Sequence, residues 1–359
     1  MPATKDKKSN TWTVQFRYKD WMGNVQSIHK RGFPTKREAL EWERQFKLNK
    51  ANDVDMTFAE FIKRYKTDRL PQVKYSTEVN KTNIIDKHIL PYFGKKKLSE
   101  ITTADVVKWQ NLMIAKINPR TGNHFSKSYL KSVHIQLSAM LNFAVKYLGL
   151  KSNPAAIVGN MGTDKGIKLN FWTRDEYERF RNEVMESPEA FYCFEVLYWT
   201  GIREGELLAL TLDDIDFEKG TIDINKTYHH INGREYTTSP KTVKSNRTIT
   251  MPKFLKEELE DYIAMNYALE PTDRLFPVSK SFLSRNLHRY GGKAGLKQIR
   301  VHDLRHSHVS LLIDMGYSAV SIAERVGHES VEITYRYAHM FPSVQKDMAS
   351  KLDEIGGMY

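Results

Sequence analysis

Apolar and polar residues alternate at the start of the chain and then change to a helical spacing. Every second position is apolar at Trp12, Val14, Phe16 and Tyr18. This period of two is typical of a half-buried strand, and turn-like residues 20–24 separate it from a second extended stretch around 25–29. Thr35 and Glu38 then have the spacing of a capping box and open a helical pattern. The first fifty residues therefore predict a small sheet with one helix.

Apolar residues return every three or four positions between residues 56 and 150. Helical stretches of this kind occupy 56–66, 76–93, 102–117 and 126–148. Turn residues separate or follow them at Gly94, Asn118-Pro119 and Asn153-Pro154. We therefore expect an all-helical domain over 55–158. The polar, glycine-bearing stretch 159–170 has no periodicity and is expected to be a linker.

The last part of the chain mixes helical and extended patterns. A capping box at Thr173 and Glu176 opens a helix, and the chain becomes helical again from about Lys253. Between them lie two extended stretches, TIDINKTYHH and RTITM, and the hairpin dipeptide Asn232-Gly233. We expect a mixed, mainly α-helical domain with a small sheet over 171–341.

A tail helix is expected over 342–359, because Val344, Met348 and Leu352 recur at four-residue spacing. Such a helix can dock on a neighbouring copy or pack on its own domain. With the three domains before it, the tail makes the predicted fold class a multidomain α+β protein.

Charge is unevenly distributed. The chain of 359 residues has 55 Lys and Arg against 43 Asp and Glu, an excess that suits a polyanionic partner. Residues 1–50 alone hold twelve basic and five acidic residues. The polar face of the first strand is expected to comprise Thr13, Gln15, Arg17 and Lys19. It is either a surface that contacts a nucleic-acid groove or a merely solvated face.

The cellular compartment of the protein is predicted from its cysteine content and from the length of its apolar stretches. Cys193 is the single cysteine, stands among aromatic residues and is expected to pack in a core, which favours a reducing compartment. No stretch approaches roughly eighteen uninterrupted apolar residues, and the charged N-terminus lacks the apolar region of a signal peptide. We therefore expect a cytosolic protein without membrane association.

Two pairs of residues have spacings that suit anion chemistry. Arg203 precedes Glu206 by three residues, so one helical face can carry the guanidinium and a carboxylate that holds it. His302 and Arg305 are also three apart and can form a combined donor set for phosphate oxygens. Taken alone, Arg203 and Glu206 are explained equally well as a surface ion pair, and the spacing of His302 and Arg305 is explained better by chance.

Further candidates follow in sequence. Lys241 lies just after a proline in a turn-rich segment, where a long side chain can reach over a ligand. His328 follows Gly327 and precedes Tyr337 by nine residues, in a segment expected to be broken rather than one continuous helix. Each pattern is weak by itself.

Together these residues resemble the tyrosine recombinase (phage integrase) family in order and approximate spacing. The residues that carry the resemblance are Arg203, Lys241, His302-x-x-Arg305, Gly327-His328 and Tyr337 followed by Ala-His. Integrases of phages and conjugative transposons are similar to most of this chain, since they combine a basic arm-binding domain, a helical, SAM-like core-binding domain and a catalytic domain. The stretch KRGFPTKREA is the most recognisable piece of the arm-binding domain, expected over 1–50.

The resemblance implies a role for each site residue. Tyr337 is implied as the nucleophile, whereas Tyr335 falls at an ordinary helix position; on a helix the two would point about 200° apart. Arg203 and Arg305 are implied to bind the non-bridging oxygens of a DNA phosphate, with Glu206 as support. Lys241, rather than Lys244, is implied as the general acid. His302 and His328 are implied to assist proton movement or to orient the phosphate.

The implied function is that of a site-specific DNA recombinase without cofactor, metal or ATP, acting through a 3′-phosphotyrosyl intermediate. It would integrate, and also excise, a mobile element of phage or transposon origin. Partners would be double-stranded DNA at core-type and arm-type sites, three further copies in a homotetramer, and an excisionase or host DNA-bending protein. The expected location is the bacterial cytoplasm, on the nucleoid. Expected DNA contacts outside the catalytic set are Arg17, Lys19, Lys30, Arg31, Lys244 and Arg247.

Several other functions fit parts of the pattern. A non-enzymatic DNA-binding regulator matches the charge distribution equally well, and a type IB topoisomerase shares the chemistry without strand exchange. A zinc hydrolase could use His302, His306, His308 and His328, but the chain has no HExxH motif and no cysteine cluster. A metal nuclease would need paired carboxylates, and Asp303 and Glu329 form no evident pair.

Overall fold

The computed structural model describes residues 3–6, 10–19, 25–51, 55–163, 170–239, 245–266, 268–335, 337 and 343–356. By its internal contacts the chain divides into two compact units, Met1–Ile167 and Lys168–Tyr359. Helices and small sheets are both present, so the predicted mixed α+β class is confirmed. No helix within the described ranges combines the length and the apolar character needed to cross a membrane.

The first unit begins with an antiparallel three-stranded sheet and one helix. Its elements are β1 (Thr4–Lys5), β2 (Trp12–Lys19), β3 (Val25–Phe33) and α1 (Lys36–Ala51). The Thr35 hydroxyl accepts a hydrogen bond from the Glu38 amide at 3.2 Å, as the cap pattern predicts. Val14, Phe16 and Ala39 are buried between the sheet and the helix, where Trp42 also packs. This cluster is the core of the sheet-and-helix part.

The polar face of β2 is only partly as predicted. Arg17 is exposed, as expected, but Thr13 is buried. The pairing of β2 with β3 shifts its register between Trp12 and Val14. Such an irregularity interrupts the alternation of faces, so the predicted outward face does not include Thr13.

The rest of the first unit is helical. Its helices are α2 (Phe58–Arg69), α3 (Tyr75–Ile84), α4 (Leu90–Phe93), α5 (Thr103–Ala115), α6 (Lys127–Leu148) and α7 (Pro154–Val158). Capping boxes at Thr57 and Thr102 begin α2 and α5. A wider π-helical turn, Ile85–Ile89, joins α3 to α4, and Trp109 donates to the carbonyl of His88 at 2.9 Å beside it. These helices enclose a second, separate apolar core.

The second unit begins with α8 (Arg174–Val184), α9 (Pro188–Thr200) and α10 (Glu204–Leu207), and the predicted capping box at Thr173 and Glu176 opens α8. Five strands follow: β4 (Ile215–Asp216), β5 (Thr221–Ile224), β6 (Thr227–Ile231), β7 (Arg234–Thr238) and β8 (Arg247–Thr250). The sheet order is β4-β5-β8, and β6 pairs with β7 as a hairpin. Asn232 and Gly233 have φ of 54° and 75° at its turn, the conformation that their dipeptide predicts.

The remaining helices of this unit are α11 (Lys253–Ala264), α12 (Lys280–Lys293), α13 (Asp303–Asp314), α14 (Ala319–Val326), α15 (Val331–Tyr335) and α16 (Ser343–Gly356). The helix predicted from Lys253 and the tail helix are therefore present. The segment between His328 and Tyr337 is broken, as predicted, because α15 covers only part of it.

Helix α9 is buried along almost its whole length and organises the unit around it. Cys193 lies in this core, as predicted, and α8, α11 and α13 pack against α9. The helix ends at Gly201, where a Cβ atom would lie 2.5 Å from the His308 ring of α13. Since only glycine permits this approach, the end of α9 meets the middle of α13, and Arg203 comes close to Arg305.

Candidate active site

A buried carboxylate organises the charged side chains at the start of α10. The side chain of Glu206 is 2% exposed, and its Oε1 lies 2.7 Å from Nη1 of Arg203. Its Oε2 lies 2.9 Å from Nη2 of Arg247. Although burial raises the pKa of Glu206, the charges and hydrogen bonds of Arg247 and Arg203 lower it below its ordinary value. Glu206 is therefore ionised and fixes two guanidinium groups.

Arg203 also bonds to the segment that carries His328. Its Nη2 donates to the carbonyl oxygen of Gly327 at 3.1 Å. With one side held by Glu206 and Gly327, the half-exposed guanidinium still presents donors to solvent. Arg203 is thus positioned in advance for a ligand that accepts hydrogen bonds.

Arg247 differs from the expectation that it contacts DNA. Its side chain is 6% exposed and, besides Glu206, it donates to the carbonyl oxygens of Arg325 at 2.9 Å and Ser245 at 3.1 Å. Burial of both Glu206 oxygens requires a second cation, and Arg247 supplies it. Arg247 is therefore a buried ion-pair partner of Glu206.

Arg305 is the most deeply buried cation of the group. It is 3% exposed; Nη1 donates to the carbonyl of Gly201 at 2.8 Å, and Nη2 is buried without a hydrogen-bond partner within the described part of the chain. Burial, followed by repulsion from Arg203 and Arg247, lowers the pKa of Arg305 to about 9, so it stays protonated at neutral pH. A buried charge with an unmet donor is costly, and an anionic ligand would relieve that cost.

His302 and His328 lie on either side of Arg305 in sequence and belong to the same electrostatic cluster. His302 stands at the start of α13, and burial, followed by the charge of Arg305, lowers its pKa. Burial, followed by the charges of Arg305 and Arg203, lowers the pKa of His328 to about 3. Nδ1 of His328 lies 2.9 Å from the Thr334 hydroxyl. Both imidazoles are therefore neutral at pH 7.

The two tyrosines near the C-terminus have opposite environments. Tyr337 is 2% exposed and packs with Val309, Ile322 and Val326, whereas Tyr335 is 59% exposed. The hydroxyl of Tyr337 lies 2.5 Å from Nδ1 of His306. Of the two, Tyr337 is the one brought to the site.

His306 is a residue that the sequence interpretation left without a role here, naming it only as a hypothetical zinc ligand. It follows Arg305 directly and lies one helical turn after His302, and the two imidazole rings meet edge to face at 5.1 Å. The i, i+4 spacing of the histidines was visible, but their relation to Tyr337 depends on how α13 packs against the C-terminal segment.

Some predicted site residues lie in the first unit or outside the described residues. Lys241 and Lys244 lie outside the described residues, and the Lys19 side chain is not described either. Arg17, Lys30 and Arg31 are exposed on β2 and β3 in the first unit. His, Cys, Asp and Glu side chains in the described ranges form no group of three suited to a metal ion.

The arrangement suits attack on a phosphodiester. Two guanidinium groups are paired with one carboxylate, and a third, that of Arg305, lies within electrostatic range of all three, so the cluster is positive and suits the negative charge that a pentacoordinate phosphate gathers. Next to them, a buried phenol is hydrogen-bonded to an imidazole. A hydroxyl of the kind that serves as a nucleophile, an imidazole of the kind that accepts protons, and fixed positive charge therefore lie in one cluster.

Sequence profiles of known families match three parts of the chain. The phage integrase family matches residues 170–343, the N-terminal SAM-like domain of phage integrases matches 57–114, and an arm DNA-binding domain matches 2–50. The ICEBs1 integrase of Bacillus subtilis (strain 168) is 32% identical over 343 residues, covering 89% of this chain and 90% of the relative. The integrase of Staphylococcus phage L54a is 24% identical over 74% of this chain and 90% of its own length.

Solved structures have the same fold. The Tn1549 transposon integrase in complex with transposon right end DNA superposes with a TM-score of 0.67 at 20% identity, over 82% of this chain and 99% of that one. The lambda integrase tetramer bound to a Holliday junction gives a TM-score of 0.58 at 18% identity, over 92% and 96% of the two chains.

Proposed function

The chain belongs to the phage integrase family of tyrosine recombinases, and we propose that it cleaves and rejoins double-stranded DNA at specific sites through Tyr337. The observation that carries this assignment is Arg305, a buried guanidinium with an unmet donor beside a buried tyrosine. A phosphodiester supplies the anion that Arg305 lacks and the phosphorus that a phenol can attack. The product is a 3′-phosphotyrosine and a free 5′-hydroxyl, which can be resealed without ATP or metal.

Two arginines are proposed to hold the phosphate. Arg203 and Arg305 each carry donors in a planar fork, which matches the non-bridging oxygens of a phosphate. The carbonyls of Gly327 and Gly201 hold one nitrogen of each guanidinium. His328, fixed through Nδ1 by Thr334, and His302 at the start of α13 then orient the phosphate or assist proton movement.

Lys241 is proposed as the acid that protonates the departing 5′ oxygen. Sulfur in place of that oxygen leaves without a proton, so Lys241→Ala should lose cleavage of ordinary DNA by about 100-fold or more and regain it on the sulfur-containing substrate. Lys244→Ala is the matched control and should cleave ordinary DNA and the sulfur-containing DNA at the same rate. Selective rescue of the Lys244 variant instead would reassign the acid.

Assembly and partners are proposed from the relatives. The solved lambda integrase is a tetramer on a Holliday junction, and four copies of this chain would likewise exchange strands between two duplexes. The ICEBs1 and Tn1549 relatives favour integration and excision of a mobile element, acting on the host chromosome in the cytoplasm. An excisionase or a host DNA-bending protein would then set the direction, and the first fifty residues would bind separate arm-type DNA.

Covalent trapping tests the proposal. The substrate, here called the junction duplex, carries the sequence where the element joins its host chromosome, nicked so that the cleaved fragment diffuses away. Wild type and Tyr335→Phe should form a protein–DNA adduct, and mass spectrometry should locate it at Tyr337. Tyr337→Phe should bind the duplex and form none.

Each alternative function predicts a different result. A DNA-binding regulator forms no adduct at all, and a type IB topoisomerase forms one without exchanging strands between two duplexes. An adduct that survives in Tyr337→Phe would refute the proposed nucleophile.

A further inference from the structure

We propose that His306 is the base that takes the proton from Tyr337 as the tyrosine attacks DNA. The inference rests on the proposed role of Tyr337 and assigns its proton to a residue outside the set His302, His328 and Lys241. Its basis is a contact: Nδ1 of His306 lies 2.5 Å from the Tyr337 hydroxyl.

The two neighbouring imidazoles have different contacts. Nδ1 of His328 bonds to the Thr334 hydroxyl, and the rings of His302 and His306 pack edge to face with their centroids 5.1 Å apart. His306 itself is mostly buried, with 13% of its side chain exposed. A proton passed from Tyr337 to His306 therefore moves between two atoms already in hydrogen-bond distance and largely shielded from water.

A carboxylate lies behind the imidazole. Oδ1 of Asp303 is 3.7 Å from Nε2 of His306, and Asp303 is held by Arg300, whose Nη2 lies 2.7 Å from the same oxygen. If Nδ1 accepts from the phenol, Nε2 carries the hydrogen and faces this carboxylate. Nucleophile, imidazole and carboxylate then follow the order that activates nucleophiles in other enzymes.

The charge state of His306 is suitable. Burial, followed by repulsion from His302, lowers its pKa to about 4, so the ring is neutral and able to accept at neutral pH. The titratable and charged groups that face it from α13, the turn before α13 and the C-terminal segment are His302, Asp303, Arg300, Arg305, His328 and Tyr337. The negative phosphate of bound DNA and the Asp303 carboxylate both stabilise the imidazolium once it forms.

Attack by Tyr337 forms one bond to phosphorus and breaks another, and each proton passes to a named group. The phenolic oxygen forms a bond to phosphorus, its proton moves to Nδ1 of His306, and the bond from phosphorus to the 5′ oxygen breaks. The proposed acid, Lys241, gives that oxygen its proton. In resealing, the 5′ oxygen attacks phosphorus and gives its proton back to Lys241, the bond from phosphorus to the tyrosine breaks, and His306 returns its proton to the phenol.

Two variants test whether His306 acts as a base or only supports the structure. His306→Asn keeps an acceptor oxygen near the Nδ1 position but cannot take up a proton, and His306→Ala leaves space for added imidazole. Both should bind the junction duplex like wild type. Cleavage by each should be about 100-fold slower or worse at pH 7. His288→Asn, at an exposed histidine of α12, should leave the rate unchanged.

The pH profile and rescue decide the assignment. Without a base the phenol must ionise into solvent, so the ratio of wild-type to His306→Asn rates should fall about tenfold per pH unit above neutrality. Imidazole should restore His306→Ala in proportion to its neutral fraction. Wild-type rates in both variants would overturn the proposal. The proposal would also be overturned if cleavage were slow in both variants, the ratio of wild-type to variant rates stayed constant across pH, and imidazole gave no rescue. That result indicates only a structural role for His306. Failure of wild type to form any adduct would instead refute the proposed function.

Discussion

Arg247 and Arg305 are two buried arginines in one cluster, but their hydrogen bonding differs. Arg247 has a carboxylate partner and two carbonyl acceptors, whereas a donor of Arg305 is buried without one. An arginine whose donors are all used in the folded chain contributes to stability. One that keeps a donor unmet destabilises the fold and is available for a ligand.

Arg305→Lys should therefore damage catalysis more than stability. A lysine retains the charge but loses the fork that holds two phosphate oxygens, so adduct formation on the junction duplex should fall roughly 100- to 1000-fold. The melting temperature should fall less than in Arg247→Lys, since the exchange keeps the buried charge and breaks no carboxylate ion pair in the described part of the chain, whereas Arg247 is paired with Glu206. Arg247→Lys should instead damage stability more than catalysis, with a clearly lower melting temperature.

Arg179→Lys, on the exposed face of α8, is the control for the general effect of the exchange. Near-normal cleavage by Arg305→Lys would contradict the proposed phosphate contact.

The same residues show what sequence could reveal. The pairs Arg203–Glu206 and His302–Arg305 were predictable because each is local. Arg203 and His302 stand at the cap positions of α10 and α13, and the residue three positions on lies in the first turn of the same helix. The second partner of Glu206 is Arg247, on β8, and the partner of Tyr337 is His306, 31 residues earlier. Those contacts depend on tertiary packing, and no spacing rule connects residues so far apart.

At the scale of elements, the turn after α14 joins two parts of the site. Helix α14 ends at Gly327, which has φ of 69° and whose carbonyl accepts from Arg203. A Cβ atom there would lie 3.1 Å from Cδ and from Nη1 of Arg247. The absence of a side chain thus allows Arg247 to pass behind the turn.

Gly327→Ala should lower both stability and cleavage. The left-handed conformation costs a non-glycine residue roughly 1–2 kcal/mol, and the added methyl group would displace Arg247. Gly316→Ala is a matched control, because Gly316 has φ of 84° and nothing within 4 Å of its Cβ position. Both variants should melt at lower temperature, and only Gly327→Ala should slow adduct formation. Equal cleavage by the two would show that the Arg247 contact is unimportant.

Helix α9 also contains a buried acid, Glu195. Glu195 accepts hydrogen bonds from Tyr177 at 2.8 Å and Trp199 at 3.1 Å, and lies 3.1 Å from Nε of Arg181. Burial, followed by the charge of Glu258, raises its pKa to about 7, although Arg181 opposes the shift. The folded protein therefore binds this proton more tightly than the unfolded chain does.

The stability from Glu195 is consequently fully present below about pH 4.5 and is lost as pH rises through about 7. Glu195→Gln cannot lose a proton at this position. Between pH 5 and pH 8 its free energy of unfolding should therefore rise relative to that of wild type by on the order of 2 kcal/mol. In melting temperature that is roughly 4–8 °C for a domain of this size. Glu189→Gln, exposed on the same helix, should show no such relative gain. A melting difference independent of pH would reject the shifted pKa.

Periodicity and caps predicted most elements because both are local properties of the chain. The capping box at Thr173 and the hairpin at Asn232-Gly233 appear where their residues indicate. The buried Thr13 was not predictable, since the register shift in β2 is set by its pairing with β3.

In the molecule as a whole, the excess of basic residues at the start of the chain is separate from the candidate active site. The site lies in the second unit, while the first fifty residues hold twelve basic residues against five acidic ones. Exposed Arg17 and Arg31 lie on paired strands of a sheet with its own apolar core. Removal of these residues therefore takes away one cluster and leaves the core of the helical part intact.

Deletion of residues 1–50 should spare adduct formation on the junction duplex and abolish binding to flanking fragments from the end of the element. Each lost phosphate contact should reduce the slope of log affinity against log salt by about 0.9, because fewer counterions are released. Arg17→Ala and Arg31→Ala should weaken the same binding, whereas Arg44→Ala, exposed on α1, should not. If the three substitutions act equally, attraction is diffuse and no strand surface is involved. If the deletion leaves flanking binding intact, the DNA contact lies outside the first fifty residues.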